Sequence, residues 1–372
     1  MRSLLLASTL VLLPLAASPW VQGDDVPERT AAEPADALEA RRLRALYIDL
    51  FGRPPTLEER ARWLGKGAAE LLDVALGEPE FWRNWLTEEL YFLLLIDNFR
   101  PTSERVLALP ERLAAGELGV RDALVYVALS ASFDRRNPGP DTFVTVVLEQ
   151  FRGENVQASP KNLAVGKKLY DGTPARFLGQ MGRTQADVVR LALGDRHALE
   201  VLLARAHRRL LDTEPERRAL GDWARRLERD PLAFGGIVRE WLLSSAYQAR
   251  LETRRTLPNH AFVRALFVDL TDRAPSDVEV DRIRGAMDGL ADATPLRSVF
   301  ARLLVDSGQA VLPKKAAIDD PTAWVAGLFE RLLGRSATKD ELRTFVTTFH
   351  EEACRPATIL LALVTHPDYA TW

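Results

Sequence analysis

Arg44-Ala45-Leu46-Tyr47-Ile48-Asp49-Leu50-Phe51-Gly52-Arg53-Pro54-Pro55-Thr56 returns 220 residues later (44 to 264) as Arg264-Ala265-Leu266-Phe267-Val268-Asp269-Leu270-Thr271-Asp272-Arg273-Ala274-Pro275-Ser276. The match is ungapped and continues to an acid at the same place, Glu59 and Glu279. A chain that repeats itself at a fixed offset is built from copies of one small unit. A third copy, Leu328 through Thr338 and on to Glu341 and Phe345, fits at an offset of 282 (53 to 335). A fourth, residues 207–223, fits at an offset of 160 (63 to 223); it keeps Leu210, Pro215 and Trp223 but has Thr213 in place of the arginine.

Each copy reads as an apolar helix, a break and a second helix. Pro54 and Pro55 cannot continue the first helix, because proline lacks the N–H and clashes with the preceding turn. Thr56, Ser276 and Thr338 stand where a hydroxyl can accept from the free N–H groups of the next helix. Glu59, Glu279 and Glu341, three residues on, complete a capping box. The residue four beyond each acid (Trp63, Ile283, Phe345) falls on the buried face. Asp49 and Arg53 are four apart, as are Asp269 and Arg273, which is ion-pair spacing if the helix continues that far. Arg53, Arg273 and Arg335 then read in two ways. They could form an anion-binding row, or each could tie its own helix pair together, the role repeat residues usually serve. The second is the better reading.

Each unit also has a helical tail that ends at Gly, Ser-Ser or His-Pro: residues 69–81 are echoed at 186–198, with looser echoes at 238–247, 300–308, 360–369 and 123–133. Tails outnumber clear heads, so degenerate heads are expected near 90–104 and 147–153. The expected fold is all-α, with tandem helical repeats, four clear copies and at most six, in a compact or solenoid-like array. No stretch shows convincing two-residue alternation; residues 143–148 come nearest to a strand. The expected order is a signal peptide over 1–23, a disordered leader over 24–36 and repeat one over 37–86. An irregular helical middle over 87–196 follows, and repeats over 197–256, 257–320 and 321–372 complete the chain.

The signal reading rests on Arg2 followed by the mainly apolar stretch 4–17 and small-residue cleavage candidates such as Ala16-Ala17-Ser18. That stretch is short for a bilayer span. It predicts export to the periplasm or the exterior, with no transmembrane segment after cleavage. Cleavage at 23 removes Arg2 and no acid, moving the formal charge from −3 to −3 − 1 = −4. Mixed charge of this kind does not suggest a nucleic-acid protein. A single cysteine, Cys354, rules out an internal disulfide framework.

The head at 46–56, with Glu78-Pro79-Glu80-Phe81-Trp82 after it, resembles two modules. One is the N-terminal module of large secreted planctomycete proteins of unknown function, often linked to cytochrome-c-type domains. The other is the short helical module of bacterial surface proteins, itself similar to phycobilisome linker domains. The resemblance is specific at 41–86, fair at 257–310 and 321–372, and weak between. It implies a helical, extracytoplasmic, assembly-type protein and carries over no catalytic residue. Val165-Gly166-Lys167-Lys168-Leu169-Tyr170-Asp171-Gly172 resembles the helix before the haem-attachment motif of c-type cytochromes. Thr173-Pro174-Ala175-Arg176-Phe177 follows instead of Cys-x-x-Cys-His, so covalent haem cannot form there and no cofactor is expected.

Catalytic chemistry is sparse. His350 and Cys354, four apart, are the best metal-like pair, and two ligands fall short of a zinc site. There is no Gly-x-Ser-x-Gly elbow and no phosphate-cradling glycine loop. Trp82 and Trp85 are candidates to line a ligand groove, although core packing is the better reading for them. The expected function is a secreted, non-catalytic scaffold or binding protein with a protein partner in the envelope or exterior. Its alternatives are an enzyme or redox-associated protein with its site in 87–194, and a self-assembling surface structural protein.

Overall fold

The computed structural model describes residues 35–91, 94, 101–158 and 160–372. The signal and most of the leader therefore lie outside the described residues, as does much of the degenerate head expected at 90–104. The fold is all-α. Residues 143–148 lie inside the helix Gly139–Arg152, where Phe143, Val144, Val147 and Leu148 share one buried face at helical spacing.

One small element was not read from the sequence. Ala175–Phe177 pairs antiparallel with Gln180–Gly182, with Arg176 opposite Met181. Leu178 and Gly179, at φ 50° and 86°, give the left-handed pair a two-residue hairpin turn needs. This hairpin occupies the stretch where a c-type cytochrome would carry its haem cysteines.

The four heads share one local geometry. Helices Ala35–Phe51, Arg196–Leu211 and Asn259–Thr271 and the π-helical turn Phe329–Leu333 each end on a left-handed residue: Gly52, Asp212, Asp272 and Gly334, at φ 69°, 58°, 52° and 61°. A left-handed residue closes the helix by satisfying its last carbonyls. At Gly52 a Cβ would lie 2.5 Å from Asn84 Oδ1, so any other residue there would have to push the Asn84 amide aside. Full capping boxes then start Leu57–Trp63, Asp277–Asp288 and Lys339–His350, using Thr56/Glu59, Ser276/Glu279 and Thr338/Glu341.

Two apolar cores form among the described residues. One joins the first head and tail to the middle helices and residues 198–251. The other gathers residues 257–369, plus Ile48 from the first head helix. The first head helix therefore feeds both. The C-terminus closes the second core: Arg255 and Trp372 exchange backbone hydrogen bonds, and Leu257 N–H donates to Ala370 O.

Candidate functional site

The signature arginines do not pair with the aspartates four residues before them. Each helix ends before the arginine, and the left-handed residue turns the chain away from the aspartate. Arg53 instead donates to Glu59 (2.7 and 2.8 Å) and to Glu80 (2.7 and 2.9 Å), an acid of its own tail. Arg335 repeats this with Glu341 and Asp368, and Arg273 with Glu279 and Gln309. All three also donate to the carbonyl of the following residue. Each stacks on the ring six positions back: Tyr47 at 5.8 Å, Phe267 at 5.1 Å and Phe329 at 5.3 Å. One guanidinium thus joins the cap of the second helix, the tail and the first helix of its own unit. Burial opposes ionisation of Glu59, but Arg53 and the Thr56 N–H outweigh it and hold the carboxyl below its usual range. Burial likewise opposes ionisation of Glu341, which Arg335 and Thr338 hold at about 2.

The second head lacks the whole arrangement. Thr213, Ala219 and Ala246 stand at the arginine, cap-acid and tail-acid positions. His207 takes the ring position, its Nδ1 3.0 Å from Thr213 O, and packs among Trp223 and Trp241.

The aspartates serve a longer-range purpose. Asp49 accepts from Tyr247 Oη (2.7 Å), Arg250 Nη2 (2.8 and 2.9 Å) and Trp372 Nε1 (3.3 Å). Asp269 accepts from Tyr369 Oη (2.9 Å) and from both Nη atoms of Arg44 (3.1 and 2.8 Å). Each head aspartate therefore receives the tyrosine of the next unit's tail. Burial first, then the adjacent carboxylate, raises both tyrosine hydroxyls well above their usual range, which keeps them as donors. The sequence reading missed Arg44, Tyr247, Arg250 and Tyr369. The Tyr at matching tail positions was the available signal. A further clamp sits in the middle region, at the expected degenerate head near 147–153. Arg152 there joins Glu154 (2.6 Å), Asp195 (2.8 Å) and the Ala192 carbonyl (3.1 Å), beside the left-handed Gly153.

Trp82 and Trp85 do not line a groove. Both are buried and pack against Phe234, with ring centroids 5.9 and 5.1 Å away. Cys354 is buried as well.

A cavity of about 440 Å³ lies between the first tail and the third head, with Glu88, His260, Arg264 and Arg284 in its wall. Glu88 belongs to a π-helical turn, Thr87–Tyr91, and its Oε2 stands 3.0 Å from His260 Nε2. Arg284 lies 3.8 Å from the other carboxylate oxygen. Burial would raise the Glu88 carboxyl, but His260 and the two arginines hold it at about 2. Burial lowers His260, with the arginines adding to the effect. The Glu88 carboxylate is thus held between the His260 ring and the Arg284 guanidinium. A carboxylate titrating near 2 is a poor general base at neutral pH, which works best with a pKa near the operating pH.

No protein-family model matches this chain, and neither the curated proteins nor the solved structures contain a match to it. Among the described residues, no helix is long and apolar enough to cross a membrane.

Proposed function

We propose that the protein is an exported, non-catalytic helical scaffold or binding protein that works in the cell envelope or outside the cell. The observation that supports this reading is the engagement of the signature residues. Arg53, Arg273, Arg335, Asp49 and Asp269 are all paired within the fold, so the repeated motif builds a frame. The resemblance to helical modules of secreted and surface proteins points the same way. Affinity capture of the chain from residue 24 onward, from envelope and secreted fractions, should return one dominant co-purifying protein. Turnover of polysaccharide or peptide by the purified protein, abolished by Glu88→Gln, would overturn the reading.

A second reading, self-association, is favoured by one surface. Val299 and Leu303, four apart on the helix Thr294–Asp306, are both exposed (Leu303 by 63 %). Exposed apolar stripes of this kind mark contact surfaces. Sedimentation of wild type and Leu303→Glu separates the two readings: only self-association predicts a concentration-dependent mass that the variant abolishes.

A further inference from the structure

The first and third heads are the two closest copies of the motif, yet they treat one space differently. Beside the first head lies an open groove of about 530 Å³, within the size range of small-ligand sites. Its floor and walls are Leu38, Leu43, Leu46, Trp63, Leu71 and Leu251, and its charged lining is Arg42, Lys66 and Glu39, whose carboxylate accepts from the Gly65 N–H at 2.8 Å. Tyr247, the tyrosine that donates to Asp49, forms part of the wall.

At the third head the matching positions, 220 residues on, hold Phe262 for Arg42, Ala286 for Lys66 and Met287 for Gly67. Phe262 and Met287 are both buried within the second core. The Phe262 ring lies 5.8 Å from Tyr369, the counterpart of Tyr247. The helix Asp277–Asp288 runs on to carry Met287 inward, four residues after Ile283. The matching helix of the first head, Leu57–Trp63, stops early, and residues 64–67 form a turn and loop in which Lys66 and Gly67 line the groove. One copy therefore fills the space with an aromatic and a thioether side chain. The other leaves it open and lines it with two cations, Arg42 and Lys66, and one acid, Glu39, which the Gly65 N–H already engages. Lys66 Nζ already sits 5.1 Å from the Trp63 ring centroid, and Arg62 4.9 Å from it on the same residue. Inside, Gln248 lines the groove with Oε1 buried and without a hydrogen-bond donor.

We propose that this groove binds a small amphipathic carboxylate of the N-acyl amino acid type. The apolar chain takes the space that Phe262 and Met287 fill in the other copy. The amide N–H supplies a donor to Gln248, a half-buried side chain whose occluded and unpaired Oε1 turns toward the groove to accept it, since a buried acceptor left unpaired is costly. The carboxylate meets Arg42 and Lys66. This inference is independent of the scaffold reading, because its test reads a small ligand and the scaffold test reads a protein.

The test is titration calorimetry of the full chain with N-decanoylglycine, its methyl ester and decanoate. N-decanoylglycine should bind saturably at one site. The ester should bind about fivefold more weakly, the scale of an exposed charge contact. Decanoate, without the N–H, should also bind more weakly. The variant Arg42→Phe with Gly67→Met copies the filled head, and a side chain at Gly67 meets nothing within 4 Å. It should keep the wild-type thermal midpoint or exceed it, and lose more than about tenfold in affinity by removing the apolar pocket. Lys66→Ala, on the exposed rim, removes one cation and its contact with the Trp63 ring, and should weaken N-decanoylglycine binding while leaving the affinity for the ester unchanged. No saturable binding of N-decanoylglycine, equal affinity for its ester, or binding unchanged in the filled-groove variant would each overturn the proposal.

Discussion

Three helix junctions carry an arginine and one does not, and the one without has lost every partner together. At the second junction Thr213, Ala219 and Ala246 replace the arginine, the cap acid and the tail acid. The difference teaches that the three residues form one device. An arginine without its acids would be a desolvated cation, and the acids without it would be like charges pressed together. Among the three clamps the arginine side chain is 7 % exposed at the first junction, 18 % at the fourth and 44 % at the third. Their energetic weight should follow that order, because water screens an exposed pair and a buried one must be matched. A second contrast overlays this one: the first and third heads carry Asp49 and Asp269, where the second and fourth carry Arg209 and Arg331.

The largest effect should come from breaking that second contrast. Asp49→Ala leaves Arg250, only 3 % exposed, without its counter-ion. Stability to urea should fall by about 3–5 kcal/mol, the cost of stranding one partner of a buried pair. A loss under about 1 kcal/mol would mean that the joint between the first head and the tail carrying Tyr247 and Arg250 does not depend on this contact.

Arg53→Ala comes next. It removes four charged hydrogen bonds to Glu59 and Glu80, both partly wet, so a loss of about 2 kcal/mol is expected in the same assay. Equal losses for Arg53→Ala and Arg273→Ala would break the burial ranking.

Arg335→Ala should cost about 1 kcal/mol at neutral pH, discounted for its exposure. It also carries a pH signature. Glu341 is held at about 2 in the folded chain, and an unfolded glutamate titrates near ~4.3. A lowered folded pKa contributes stability above the unfolded value, which is lost as pH falls towards the folded one. The gap between wild type and Arg335→Ala should therefore be full above pH ~5 and close progressively toward pH ~2, in parallel denaturant titrations. A gap that does not change with pH would remove Glu341 from the clamp. The smallest effect is Arg273→Ala, expected below about 0.5 kcal/mol.

Much of the frame was legible in the chain itself. The all-α class, the breaks after 51, 211, 271 and 333 and the three capping boxes follow from proline and glycine chemistry and from hydroxyl–acid spacing. These interactions span only a few residues. The Asp49–Arg53 and Asp269–Arg273 pairs depended on the helix continuing to the arginine, and they do not form because it ends at Phe51 and Thr271. The hairpin at 175–182 was missed because its turn, Leu178-Gly179, uses a non-glycine left-handed residue that no turn dipeptide announces. The candidate sites were harder still. Glu88 and His260 are 172 residues apart (260 − 88), and nothing local to either predicts the other.

The sequence alone therefore determined the units: where each helix starts, where it stops, and which hydroxyl and acid close it. Backbone sterics and capping act within one turn, so a short window of residues contains all their terms. Only the tertiary structure decided the partners of the buried charges and the fate of the space beside each head. Which tyrosine reaches Asp49, and whether Phe262 fills a groove that Arg42 leaves open, depend on how distant helices pack. Burial turns those contacts from screened and weak into specific and strong, and burial belongs to the folded whole.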